Sequence, residues 1–328
     1  MDQVVGTRHP VQVSGAQAEA VDTPQLRGTY FGLRAGLVAC SLLVLAAPVS
    51  QAVFGDGWPP SISDSFYTRS GGMFVIGLVA ASAMLLVIRA DTLTETTLLH
   101  VSGGLGLVVA GVATAPQGPD GSELRYPAWL ADTNEYTLWA LLVVGLAASV
   151  ASFWYPKEIR TWNAEPRTAR VLLALPSALL LAGLVVLVAA PEAVAEKAHT
   201  PAAVAMFALL GAVATLRTTF GVDLLERLGD CPVADTPLAN RRARSVAARA
   251  ADPSARMNRF DIAYAAVACI MAATIVAALG VLSVHWTIAA ELPDHWVSWV
   301  EFILLVTFDG FWVTQTVEAW QDLSSRRG

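Results

Sequence analysis

WVEFILLVTFDGFW, residues 299–312, is the stretch on which the fold turns. From Phe302 to Phe308 it is apolar except for Thr307; then comes a carboxylate, Asp309, with Glu301 eight positions before it. We read it as part of a membrane span. A central Asp costs about 2.5–3.5 kcal/mol to insert, which several Leu or Ile at about −0.3 to −0.6 each offset. Eight helical residues rise about 12 Å and leave the two acids about 80° apart, so one broad polar face holds both. That face is expected to look into a bundle, and Gly310 beside it to allow close approach of another helix.

The rest of the chain agrees. Of its 328 residues 55% are hydrophobic and 15% charged, against about 25% charged in a soluble globular protein. Mean hydropathy is +0.54. Spans need roughly 17–25 mainly apolar residues. Eight candidates fall at about 33–54, 71–89, 96–115, 137–155, 170–190, 199–216, 261–284 and 297–318. The last is the most polar, and a seven-span chain without it is the alternative. The expected fold is therefore an all-α, polytopic transmembrane helical bundle. Residues 1–32 and 321–328 read as cytoplasmic tails around a bundle over 33–320.

Basic residues set the expected orientation. With eight spans and the N-terminus inside, 18 of the 21 Lys and Arg lie on the cytoplasmic side; only Arg69, Arg125 and Lys197 lie outside. The reading is a multi-pass plasma-membrane protein with both termini cytoplasmic. The loop 116–136 reads as solvated outer surface. The inner loop 217–260 contains RRARSVAARAADPSAR and reads as a short basic helix. Its 241–259 segment is a candidate for contact with anionic lipid. Nucleic acid is not expected as a partner, because no aromatic residues interleave the basic ones.

Cys40, Cys231 and Cys269 form no CxxC pair and read as small apolar residues. No phosphate-binding GxxxxGK loop and no nucleophile elbow is present. No HExxH or HxxxH occurs either, so neither a metal nor another cofactor is expected. The orientation gathers the costly polar groups near one face. The loop PPSISDSFYTRS, residues 59–70, supplies Asp64, Tyr67 and Arg69 together with Ser61 and Ser63. His199 opens span six, His285 closes span seven, His295 precedes span eight, and Glu301 lies one turn into it. Asp309 is deeper. These eight residues are the candidate ligand-binding set, for a small ligand or lipid headgroup at an outer-face pocket. A proton- or ion-coupled transporter is one alternative; a metal-dependent membrane hydrolase is another.

PPSISDSFYT at 59–68 with FVIGL at 74–78 resembles the SIS-x-x-x-YT…FVG signature of a family of uncharacterised bacterial multi-pass membrane proteins. GVATAP at 111–116, His199 with Ala203 and Phe207, RMNRF at 256–260, and Glu301 with FWVTQTVEAW at 311–320 extend the resemblance in order. The pattern usually has Arg three residues after the Thr; here that position is Gly71. The resemblance implies a helical membrane bundle with no assigned activity. A looser likeness is to the seven-span ceramidase and progestin-receptor group, which gathers Ser, His and Asp near one face but carries an HxxxH that this last span lacks.

Overall fold

The computed structural model describes residues 24–55, 57–115, 126–153, 163–164, 166–232, 236–251, 258–288 and 295–325. Eight long apolar helices carry the chain back and forth: α1 (Pro24–Phe54), α2 (Gly71–Val87), α3 (Leu93–Gly111), α4 (Ala128–Phe153), α5 (Pro166–Ala189), α7 (His199–Leu216), α10 (Arg259–Ile288) and α11 (Trp296–Ser325). Three shorter helices complete the set: α6 (Pro191–Lys197), α8 (Thr219–Arg227) and α9 (Pro237–Ala251). A 3-10 turn spans Ser63–Tyr67, and two-residue strands β1 (Asn163–Ala164) and β2 (Asp230–Cys231) pair antiparallel.

Seven helices are long and apolar enough to cross a membrane, and the chain is an all-α polytopic bundle. The last span, the one the seven-span alternative would omit, is among them; the shorter one is α2, at 17 residues. About 26 Å of rise puts α2 at the lower limit for a span. It is clamped between α1 and α3, with which it makes extensive contact.

Contacts at the helix ends show how three pairs of helices run. Phe31 of α1 meets Trp320 of α11 edge-on, whereas Trp58, just beyond α1, stacks on Trp299 at the start of α11. Near the start of α3, Glu95 pairs with Arg217 after α7, and past its end Val112 meets His199 at the start of α7. Tyr264 early in α10 bonds Glu318 late in α11. Each pair is antiparallel. We call the two ends the arginine end and the histidine end.

Helices α1, α2, α3, α7, α10 and α11 close into a ring, each packed on the next, while α4 and α5 lie outside against α3. The ring is filled by Leu37, Val44, Phe74, Leu85, Met206, Phe207, Leu210, Phe308 and Trp312, leaving a cavity of about 20 Å³ between α1, α2, α7 and α11. Small residues set the spacing. A Cβ on Gly77 would lie 2.7 Å from the Cys40 carbonyl of α1, and one on Gly103 2.7 Å from the Ser82 carbonyl of α2. Gly310 does not play the expected part: nothing lies within 4 Å of where its Cβ would be, because it sits on the outward side of α11. Outside the ring, Val143, Val144, Val171, Val185 and Val188 are exposed. In hydrocarbon such a surface carries no cost.

The arginine end is a buried ion network. Arg217 lies 3.0 Å from Asp91 and 2.9 Å from Glu95. Arg241 reaches in from α9 to Glu318 at 3.2 Å and Asp261 at 3.4 Å, donates to the Arg217 carbonyl at 2.5 Å, and lies over the Tyr264 ring. The Asp230 carboxylate caps the start of α3, accepting from the Leu93 and Thr94 amides. The RRARS segment forms the expected basic helix, α9, and a second helix, α8, precedes it in the same loop. Arg241, Arg242 and Arg244 pair with acids of the chain itself, Arg242 with Glu226 and Arg244 with Asp322.

Two helix starts differ from the sequence reading by nine residues: α1 begins at Pro24, ahead of position 33, and α4 begins at Ala128, ahead of position 137. Polar residues at the start of α4 resemble a loop. The Thr133 and Thr137 hydroxyls, however, donate to carbonyls four residues back, and Asn134 is buried.

Candidate functional site

The histidine end is built on a loop that cannot be helical. Pro59 and Pro60 lack amide protons and force an extended entry. α11 binds this entry with its first residues: the Ser298 amide donates to the Pro60 carbonyl at 3.2 Å, and the Trp58 indole N–H donates to the Ser298 hydroxyl at 2.8 Å. The 3-10 turn then tucks Ser63, Asp64 and Ser65 beneath the surface.

Glu301 is the anchor. Its Oε2 accepts from the Ser61 hydroxyl at 2.9 Å and from the Ile62 amide at 2.6 Å. Its Oε1 lies 3.1 Å from Ser63 Oγ. Ser63 Oγ in turn lies 2.9 Å from Nε2 of His199. The Nδ1 of His199 is 2.6 Å from the Val112 carbonyl, which can only accept, so Nδ1 carries a proton. A hydrogen-bonded line therefore runs from α11 through the loop to α7 and the end of α3.

Asp64 lies beside this line. It is buried, and its Oδ2 has no hydrogen-bond partner. Burial, and next the negative charge of Glu301, raise its pKa from 3.8 to about 6, against the lowering effect of a backbone hydrogen bond at Ser61. Tyr67, at the end of the same turn, donates its hydroxyl to the Thr114 carbonyl. Burial pushes that phenol up to about 12, with Tyr126 and Asp64 adding to it.

The structure thus brings Asp64, His199 and Glu301 together and puts Tyr67 at their edge. Arg69 lies exposed beyond the turn. His295 sits at the mouth of α11, its Nδ1 3.2 Å from the Pro59 carbonyl, in a left-handed backbone conformation (φ 60°). The backbone of His285 belongs to α10, but its side chain is outside the described residues. Asp309 is well below the cluster. It is 8% exposed, and neither carboxylate oxygen makes a hydrogen bond of ordinary geometry. Ser41 of α1 faces it and is the side-chain hydroxyl within reach to donate to it.

Ser61 and Ser63, which the sequence reading gathered with the loop's polar groups but not in the candidate set, are what joins the acids to the histidine. The sequence reading missed Asn134. That amide donates to the carbonyls of Ala113 and Ala195 at 2.9 Å each and accepts from the Ala113 amide at 3.1 Å. It fixes the end of α3, and with it Val112, against α6. The spacing of SIS, two hydroxyls on either side of one amide, was the available signal for the serines.

The arrangement is unlike a hydrolytic triad. There the acid orients the histidine through Nδ1; here Nδ1 is held by a carbonyl and the acid contacts the serine. Among the described residues, no three of His, Cys, Asp and Glu are grouped to hold a metal ion. The cavity in the ring is lined by apolar side chains with Ser41 and Ser82 and does not lie at this end. The cluster spends its hydrogen bonds on itself. What such a line of titratable groups can do is pass protons. Neither family models, curated proteins nor solved structures give a match to this chain.

Proposed function

We propose that this integral membrane protein is a proton-coupled transporter, with protons carried along the buried face of α11. The observation that supports it is Asp309, a buried carboxyl at mid-depth of the last span with Ser41 as its polar neighbour and no ion pair among the described residues. A carboxylate so poorly supplied with donors is costly in hydrocarbon, and intramembrane acids of this kind mark ion and proton pathways. A proton is the smallest partner that removes the cost. Above Asp309 on the same helix is Glu301, and below it are Glu318 and Asp322. Polar groups therefore recur from one end of the helix to the other.

The proposed setting is the plasma membrane, with the arginine end and both termini in the cytoplasm. The 18 of 21 basic residues on that side support it. Anionic lipid is the proposed neighbour of the 241–259 segment, although Arg241 itself is committed to the bundle. Small-ligand or headgroup binding at the histidine end is the second reading, favoured by the unpartnered Oδ2 of Asp64.

Proteoliposomes under a potassium diffusion potential test the transport reading. Wild-type protein should take up protons faster than protein-free vesicles, and Asp309→Asn should lose most of that uptake while remaining folded. Uptake that is equal in the variant and the wild type overturns it. For the second reading, ligand-induced thermal stabilisation that survives Asp64→Asn would count against the site.

A further inference from the structure

The hydrogen-bonded line at the histidine end has a proton count that its geometry fixes. Ser63 has one hydroxyl proton and stands between two acceptors, Oε1 of Glu301 at 3.1 Å and Nε2 of His199 at 2.9 Å. If Glu301 is ionised and His199 neutral, the hydroxyl serves one of them and the other contact has no proton. Adding a single proton completes both contacts, and does so in two ways. In the first, Glu301 carries it on Oε1 and donates to Ser63, which donates to Nε2. In the second, His199 carries it on Nε2 and donates to Ser63, which donates to the Glu301 carboxylate. Val112 holds Nδ1 in both states, and Ser61 and the Ile62 amide hold Oε2 in both.

We infer that Ser63 is the hub of a two-way proton relay between Glu301 and His199, a site whose ligand is one exchangeable proton. In the forward step the Glu301 O–H bond breaks as an O–H bond forms on Ser63. The original Ser63 O–H bond breaks as an N–H bond forms at Nε2. The serine leaves the step unchanged, and no electron is gained or lost. The relay deepens the proton-transport reading, on which its physiological use rests, by giving a path into the bundle at the end opposite the arginines. Its parts come from three separate chain regions: the loop after α1, the start of α7 and the start of α11.

Other groups around the line do not supply the proton contacts. Asp64 is the neighbouring carboxyl on the same turn. Glu196 and Lys197, just before His199, are exposed. Asn134 and Tyr126 engage the carbonyl of Ala113 at the end of α3. A charge effect of Asp64 on His199 does not pass through Ser63, which gives a way to separate the two.

The test is the protonation of His199 followed by nitrogen magnetic resonance, with protein carrying isotope-labelled histidine in nanodiscs and the signal assigned by its loss in His199→Gln. Glu301→Gln keeps a donor toward Ser63 and so locks the first state. It should move the pH at which Nε2 gains its proton by about one unit or more, the range in which two sites titrate as a pair. In a Ser63→Ala background the same Glu301→Gln change should have little effect, and Ser63→Thr should restore it. Equal shifts with and without the hydroxyl would mean through-space electrostatics and overturn the relay. So would the absence of any shift in Glu301→Gln alone, a result that requires no Ser63 variant to fold. A purely structural clamp would lower thermal stability in Ser63→Ala but would not make the histidine shift depend on the hydroxyl. Because the readout is protonation and not flux, the relay can fail while Asp309-dependent uptake persists, and the reverse.

Discussion

Asp64 puts a carboxyl beside Glu301 in a turn that excludes water, and the fold favours its protonated form. With its pKa raised from 3.8 to about 6, the folded state holds a proton that the unfolded state releases. The sign follows directly. The contribution of Asp64 to stability is greatest below about pH 4 and is lost as pH rises through about 6, an amount on the order of 3 kcal/mol. Thermal unfolding in detergent should show this decline in the wild type and a flatter profile in Asp64→Asn. At Glu301 the expected loss is larger for Glu301→Ala than for Glu301→Gln. The alanine leaves the Ile62 amide and two serine hydroxyls without their acceptor, at about 1–3 kcal/mol for each buried group left unpaired. Asp64, His199 and Glu301 were legible in the sequence because such residues are costly near a membrane and need a reason to be there. Ser61 and Ser63 were legible as part of the same loop but not as the link between acid and histidine, and Asn134 was not legible, since serine and asparagine cost little in any loop. Only the fold shows which of them are buried.

Among the helices, the informative contrast is between two glycines. Gly77 faces the backbone of α1, and a methyl group there would meet the Cys40 carbonyl at 2.7 Å, which cannot rotate away. Gly310 faces open space. Gly77→Ala should therefore destabilise the bundle by about 1–3 kcal/mol. Gly310→Ala should leave its melting temperature within about a degree of wild type, since surface changes rarely exceed about 0.5 kcal/mol. The apolar runs placed the spans correctly, because hydrocarbon thickness leaves little freedom in their length. They said nothing of which face of each helix packs where, and so the role expected for Gly310 fell instead to Gly77 and Gly103. Helix α9 provides a second test. Its Arg241 is held by two acids inside the bundle. Removing one partner of a buried pair typically costs about 3–5 kcal/mol. Arg241→Ala should therefore lower the melting temperature and expose the loop between α8 and α10 to limited proteolysis, whereas Arg242→Ala, which removes a more exposed pair, should do neither.

Across the described residues, the long apolar helices of the bundle separate two kinds of polar chemistry. Guanidinium–carboxylate pairs gather at one end, and a serine–histidine–carboxyl line forms the other. Between them Asp309 is the buried carboxyl of a ring whose other polar groups at that depth, Ser41 and Ser82 among them, are hydroxyls. On the proposed proton-coupled reading, Asp309 is the step between the two ends. Infrared spectroscopy of protein with isotope-labelled aspartate, reconstituted in oriented bilayers, reads this group directly. The expected result is a protonated-carboxyl band that is absent in Asp309→Asn and changes when the pH on one side of the membrane is stepped. A spectrum in which no band is assignable to Asp309, or one whose Asp309 band ignores pH steps on both sides, would contradict it.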